Sequence, residues 1–144
     1  MHANGGKTFW PRWRNIIHRA MAKILIIEDD QDIARLIGMK LKAQGHELAF
    51  AGDAVTATTT ARREHPDVIL LDFGLPGGDG LLVLNRLKEM AAFALTPVIV
   101  ISGRDPAALR ESVLEAGAVA YLSKPLDTEA LVAEVERALG MPSS

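Results

Sequence analysis

The chain has 144 residues, 16 Lys and Arg against 18 Asp and Glu, and a formal net charge of −2 at pH 7. That length suits one domain whose core needs no staples, and the absence of cysteine excludes a disulfide framework and a thiolate zinc site. No apolar run is long enough to span a bilayer and no secretory apolar core opens the chain, so the expected location is cytoplasmic.

The charge is unevenly spread. The first twenty residues hold Lys7, Arg12, Arg14 and Arg19 and no acid (+4), leaving twelve basic against eighteen acidic residues in the rest (−6). An acidic body argues against a nucleic-acid surface on it. Residues 1–20 form a leader in which Trp10, Trp13 and Ile17 recur at i, i+3 and i+7 with arginines beside them. The plainer reading is a flexible tail, or an upstream start with Met21 as the natural beginning of the domain. The sharper one is a short basic amphipathic helix that touches a membrane surface or a partner.

From residue 21 to 140, strand-like and helix-like stretches alternate, before a tail at 141–144. The first predicted strand is Lys23–Ile27, running into Glu28, Asp29 and Asp30. The stretch 30–44 then carries Ile33, Leu36, Ile37 and Leu41 at helical spacing and stops at Gly45. Glu47–Ala51 is the second strand. The helix predicted over 53–65 is rich in Thr and weak by propensity, so packing must hold it. Asp67–Leu71 is the third strand, and a helix over 80–90 shows Leu81, Leu84, Leu87 and Lys88. Pro97–Ile101 is the fourth strand. Asp105 with Pro106 starts the next helix, which ends at Gly117. Val119–Leu122 is the fifth strand, and Asp127 caps a last helix with Leu131, Val135, Ala138 and Leu139 on one face. His18, His46 and His65 are isolated and read as surface residues.

The strands are mostly apolar throughout, as strands covered on both faces are. The pattern is (βα)5: an α/β, doubly wound, five-stranded parallel sheet with helices on both faces. Ligands of such sheets sit beyond the C-terminal strand ends. The residues there are Glu28, Asp29 and Asp30 after the first strand, Asp72 after the third, Ser102 after the fourth and Lys124 after the fifth. Clustered carboxylates need a cation, and oxygen ligands without His or Cys suit Mg²⁺. An ammonium and a hydroxyl beside that metal suit an anion. A phosphoryl group on Asp72 would meet all three, and Asp serves as a nucleophile that forms an aspartyl-phosphate. Asp30 and Asp32 read instead as acids at a helix N-terminus. The segment Asp30-Gln-Asp-Ile-Ala lacks the third ligand and the Gly of an EF-hand loop.

Residues 22 to about 140 resemble the receiver domain of two-component response regulators, as in single-domain, chemotaxis-type receivers. The resemblance rests on Glu28-Asp29, on Asp72 with Pro76 and Gly80 behind it, on Ser102, on Tyr121, and on Lys124-Pro125. It implies a flavodoxin-like strand order 2-1-3-4-5 and a phosphorylation-switched signalling protein. Asp72 would accept a phosphoryl group from a phospho-histidine on a sensor histidine kinase or a histidine phosphotransfer protein. Asp29 would bind Mg²⁺ directly, Glu28 through a metal-bound water, and Gly74 through its backbone carbonyl. Ser102 and Lys124 would hold phosphoryl oxygens, and the small Gly103 would leave the donor access. Lys124-Pro125 would be a cis peptide, and Tyr121 a switch aromatic that moves inward as Ser102 shifts. Gly74 and Arg104 occupy positions that tune phosphate lifetime in the family. A bare Gly74 would admit water, whereas Arg104 would cover the phosphoryl.

Such a receiver catalyses only its own phosphorylation and dephosphorylation and signals by protein contact, with a homodimer as one option. Nothing after Gly140 has the length of an output domain, so the expected contact face is formed by the fourth and fifth helices and strand five. The alternatives are an unphosphorylated pseudo-receiver scaffold and a haloacid-dehalogenase-type phosphatase. The latter needs a second Asp two residues beyond the nucleophile, where this chain has Gly74.

Overall fold

The computed structural model describes residues 22–75, 80–104 and 106–140. The leader with Trp10, Trp13 and His18, the turn residues Pro76 and Asp79, the helix-start Asp105 and the tail lie outside the described residues. Five strands alternate with five helices: β1 (Lys23–Ile27), α1 (Gln31–Ala43), β2 (Glu47–Ala51), α2 (Ala54–Glu64), β3 (Val68–Asp72), α3 (Gly80–Glu89), β4 (Val98–Ser102), α4 (Pro106–Glu115), β5 (Ala120–Ser123) and α5 (Thr128–Ala138). One 3₁₀ turn, Ala91–Phe93, lies between α3 and β4. The strands form one parallel sheet in the order β2-β1-β3-β4-β5. Both the (βα)5 architecture and the strand order agree with the expectation from sequence.

Side-chain alternation along the central strands splits the core into two layers. Ile24, Ile26, Val68, Leu70, Ile99 and Ile101 face one way and pack with Ile37 and Leu41 of α1 and Leu131 and Val135 of α5. Leu25, Ile27, Ile69, Leu71, Val98 and Val100 face the other way, onto α2, α3 and α4. A continuous apolar run is therefore what β1, β3 and β4 require. The Thr-rich α2 is held, as anticipated, by packing: Ala54, Ala57, Thr60 and Ala61 are buried in a layer that includes Ala49 and Ala51 of β2.

Caps fix the helix ends. Asp30 accepts from the N–H groups of Asp32 and Ile33, Asp53 from Thr56 N–H, and Asp127 from Glu129 and Ala130 N–H. α1 ends in a Schellman motif: Gly45 has φ 94°, its N–H donates to Lys42 O at 2.9 Å, and His46 N–H donates to Leu41 O at 3.3 Å. This turn folds His46 back, so it is buried, which corrects its reading as a surface residue; His65 is exposed as expected. Among the described residues, no helix is long and apolar enough to cross a membrane.

Three strands, β3, β4 and β5, lie one residue further along the chain than expected. The ladder runs on through Asp72, which pairs in register with Ile101, and Phe73 N–H donates to Ile101 O at 3.0 Å. Ser102 pairs with Ser123, and Lys124 N–H donates to Ser102 O at 2.8 Å. Asp72 and Ser102 are therefore the last residues of strands, held by the sheet itself. A loop would position them less rigidly.

Gly80 lets α3 approach the end of β3. A Cβ there would lie 2.5 Å from Phe73 Cδ1 and 2.8 Å from Phe73 Cα. Gly80→Ala is expected to lower stability by about 1–3 kcal/mol through overpacking, read as a lower urea midpoint. An unchanged midpoint would mean that α3 can shift away from Phe73 at no cost.

Candidate functional site

Strand order decides which polar residues meet. β1 and β3 are neighbours, so Glu28 and Asp29, just past β1, stand beside Asp72 at the end of β3. One carboxylate oxygen from each of Glu28, Asp29 and Asp72 lies within 4.8 Å of the others. Lys124, just past β5, reaches over the same edge. Its Nζ is 3.2 Å from Glu28 Oε1 and 3.2 Å from Asp72 Oδ1. With all three acids ionised, the ammonium leaves an excess of two negative charges.

Burial separates the three acids. Asp72 and Glu28 are only 3 % and 6 % exposed, whereas Asp29 is exposed. Asp72 Oδ1 accepts from Gly74 N–H at 3.1 Å, and Glu28 Oε2 accepts from Asp30 N–H at 3.2 Å. Glu28 Oε1 is buried and accepts no hydrogen bond; its contact with Lys124 is one of charge. Burial pushes the Glu28 carboxyl up to about 7, and its contact with Asp72 adds to the rise. Burial also pulls the Lys124 ammonium down, but Asp72 and Glu28 outweigh it and the net shift is upward.

The donor set fits a hard divalent cation. It offers three carboxylates, one of them with a buried oxygen lacking a hydrogen bond, and neither nitrogen nor sulfur. Few carboxylates with room for water suit Mg²⁺.

The charge excess has a measurable consequence without metal. The folded pKa of Glu28 lies above its ordinary value, so the folded state holds a proton that the unfolded state releases. Stability from this group is complete below about pH 4.5 and is lost as the pH rises through about 7. Glu28→Gln should remove that loss and raise metal-free stability at pH 8 by on the order of 2–3 kcal/mol relative to the native residue. Urea melts at pH 5 and pH 8 measure it; equal slopes with pH for both proteins would contradict the assignment.

Ser102 is buried at the end of β4, and its Oγ accepts from Arg104 N–H at 3.0 Å. Tyr121 is also buried, and its O–H donates to Arg104 O at 3.1 Å. The Arg104 main chain thus bridges the hydroxyls of Ser102 and Tyr121. The sequence singles out Arg104 for its side chain, but no side-chain pattern can announce a main-chain bridge. Lys124-Pro125 is cis. A Cβ at Gly74 would stand 3.6 Å from both carboxylate oxygens of Asp72, so any side chain there would start against the carboxylate. A Cβ at Gly103 would come no closer than 4.0 Å to Lys124, its nearest neighbour, which leaves that approach open.

Comparison with known proteins points the same way. The family model for the response regulator receiver domain matches residues 24–136. The chain is 40% identical over 114 residues to response regulator PleD of Caulobacter vibrioides, covering 79% of this chain and 25% of PleD. It is 37% identical over 119 residues to the KDP operon transcriptional regulatory protein KdpE of Escherichia coli, covering 83% of this chain and 52% of KdpE. The chain thus spans about a quarter to a half of these curated relatives. Among solved structures, it superposes on the receiver domain of NtrX from Brucella abortus with a TM-score of 0.76 at 32% identity, covering 83% of this chain and 99% of that one.

Proposed function

The chain belongs to the response regulator receiver domain family of two-component signalling, and from that premise we propose that it is switched by phosphorylation of Asp72. The observation that carries this reading is the convergence of Glu28, Asp29, Asp72 and Lys124 at one sheet edge. The unit is residues 21–140, and the donor is a phospho-histidine on a sensor histidine kinase or histidine phosphotransfer protein.

The Asp72 carboxylate attacks phosphorus, a P–O bond forms, the P–N bond to the donor imidazole breaks, and the imidazole leaves with a proton. Lys124 Nζ, already 3.2 Å from Asp72 Oδ1, meets the charge on the incoming phosphoryl oxygens. Ser102 offers its hydroxyl to a second oxygen, which draws on the same Oγ that holds Arg104 N–H. Glu28, Asp29, Asp72 and the Gly74 carbonyl would hold Mg²⁺, which when bound would supply the positive charge that phosphoryl transfer needs. Gly74 and Arg104 set how long the phosphoryl group survives hydrolysis.

Ser102 and Tyr121 form the switch, because both are tied to Arg104. Any movement of Ser102 toward the phosphoryl group pulls on the segment that Tyr121 holds. Output passes by protein contact through α4, β5 and α5, in the cytoplasm, with no nucleic acid and with a homodimer as one form.

Incubation with acetyl phosphate and Mg²⁺, followed by a phosphate-affinity gel, tests the reading: the protein should shift. No shift would favour an unswitched scaffold, and steady phosphate release from many esters would favour a phosphatase. Pull-downs with and without beryllofluoride would then identify the target.

A further inference from the structure

Among the described residues β2 is an edge strand, paired with β1 alone. Exposed edges and apolar side chains on them are liabilities that folded chains usually cover. Along this edge lies a groove of about 440 Å³ lined by Lys23, Lys42, His46, Glu47, Leu48 and Phe50, of which Leu48 and Phe50 face α1. Phe50 is 51% exposed, and its ring approaches α1 at Gly38, where a Cβ would be 3.1 Å from Phe50 Cζ. Phe50 and Leu48 thus form an apolar floor, with Lys42 and Glu47 at its margin.

The leader joins the fold at this groove. Ala22 is buried and the next residue, Lys23, is itself part of the lining. Eight residues separate Trp13 from Ala22; fully extended they span at most roughly 30 Å, so Phe50 is within reach without strain. Both tryptophans of the chain, with Phe9 and Ile17, stand in this short segment.

Aromatic contact and reach, rather than charge, set the occupant of this groove. Lys23 and Glu47 alternate onto the α2 face of the sheet, where Glu64 engages the Lys23 ammonium at 2.9 Å and Glu47 adds to the negative charge around it. The Lys42 ammonium can lie over an indole face, an attractive arrangement. We infer that Trp10 and Trp13 of the leader seat on Leu48 and Phe50 in the groove between α1 and β2, covering the open edge of the sheet. Because the segment is tethered, its effective concentration is high and modest contacts suffice.

Trp10 and Trp13 are the only tryptophans, so intrinsic fluorescence of the full chain reports the leader alone. Acrylamide quenching of the native protein should be about threefold weaker than in urea, as for a buried indole. Phe50→Ser should restore most of the quenching, and the site is exposed enough for the fold to survive. Equal quenching in native and unfolded protein would overturn the inference, as would Phe50→Ser leaving native quenching unchanged. Protection that vanishes on about hundredfold dilution would place the indoles on a second copy and also overturn it. So would a strong Mg²⁺ quench that Asp29→Asn abolishes, since the leader would then lie over the acidic edge.

Discussion

Asp72→Asn is expected to abolish phosphoryl uptake while leaving the fold intact. The wild-type protein should shift on a phosphate-affinity gel after acetyl phosphate and Mg²⁺, and the variant should not. Asparagine is nearly isosteric, and its carbonyl oxygen can still accept from Gly74 N–H, which Asp72 Oδ1 binds at 3.1 Å. The amide is a far poorer nucleophile than a carboxylate, so chemistry stops. Two electrostatic changes of opposite sign accompany it. Attraction to Lys124 is lost, and so is repulsion from Glu28 and Asp29. These largely cancel, and metal-free stability should move by less than about 1 kcal/mol. Loss of the gel shift at unchanged stability isolates the chemical role of Asp72. A variant that still shifts would place the acceptor elsewhere. A wild-type protein that fails to shift would remove the switch altogether and leave the scaffold reading.

The sequence exposes much of this site because a parallel sheet orders it. Apolar runs two-sided enough to be central strands mark β1, β3 and β4, and the first polar residue after each apolar run must lie at one edge. That logic finds Glu28, Asp72 and Ser102 without knowledge of any contact, and Lys124 stands one residue past Ser123, the first polar residue after the fifth run. It misses what depends on distance between segments. Strand ends slip because Asp72 and Ser102 keep main-chain pairing with Ile101 and Ser123, and polarity does not report pairing. His46 reads as exposed because its burial follows from the turn at Gly45 and not from its neighbours' hydrophobicity. Gly80 is required by the ring of Phe73 across a turn. Arg104 ties Ser102 to Tyr121 through its own peptide groups, for which any residue except proline would serve.

Lys124→Met should produce a stability defect that depends on pH and on metal. Lys124 is the only cation within ion-pair distance of Glu28 or Asp72 among the described residues. Methionine keeps most of the aliphatic bulk and removes the charge, so packing beside Gly103 survives. At pH 8 without metal, Asp29, Asp72 and the still partly ionised Glu28 then face one another with no counter-charge. Breaking a buried pair in this way costs about 3 kcal/mol. The defect should shrink at pH 5. Glu28, already raised to about 7 chiefly by burial, loses the Lys124 charge that holds it down and rises further. The folded variant therefore binds a proton that the unfolded chain gives up above about pH 4.5, and protonation relieves the repulsion. Millimolar Mg²⁺ should likewise recover most of the lost stability, because a divalent ion offsets the same charges. Phosphoryl uptake should stay low under all these conditions, since the ammonium that meets the phosphoryl oxygens is gone. A defect equal at pH 5 and pH 8 and indifferent to Mg²⁺ would instead make Lys124 a packing residue, and its charge would then have no part in holding the acidic edge together.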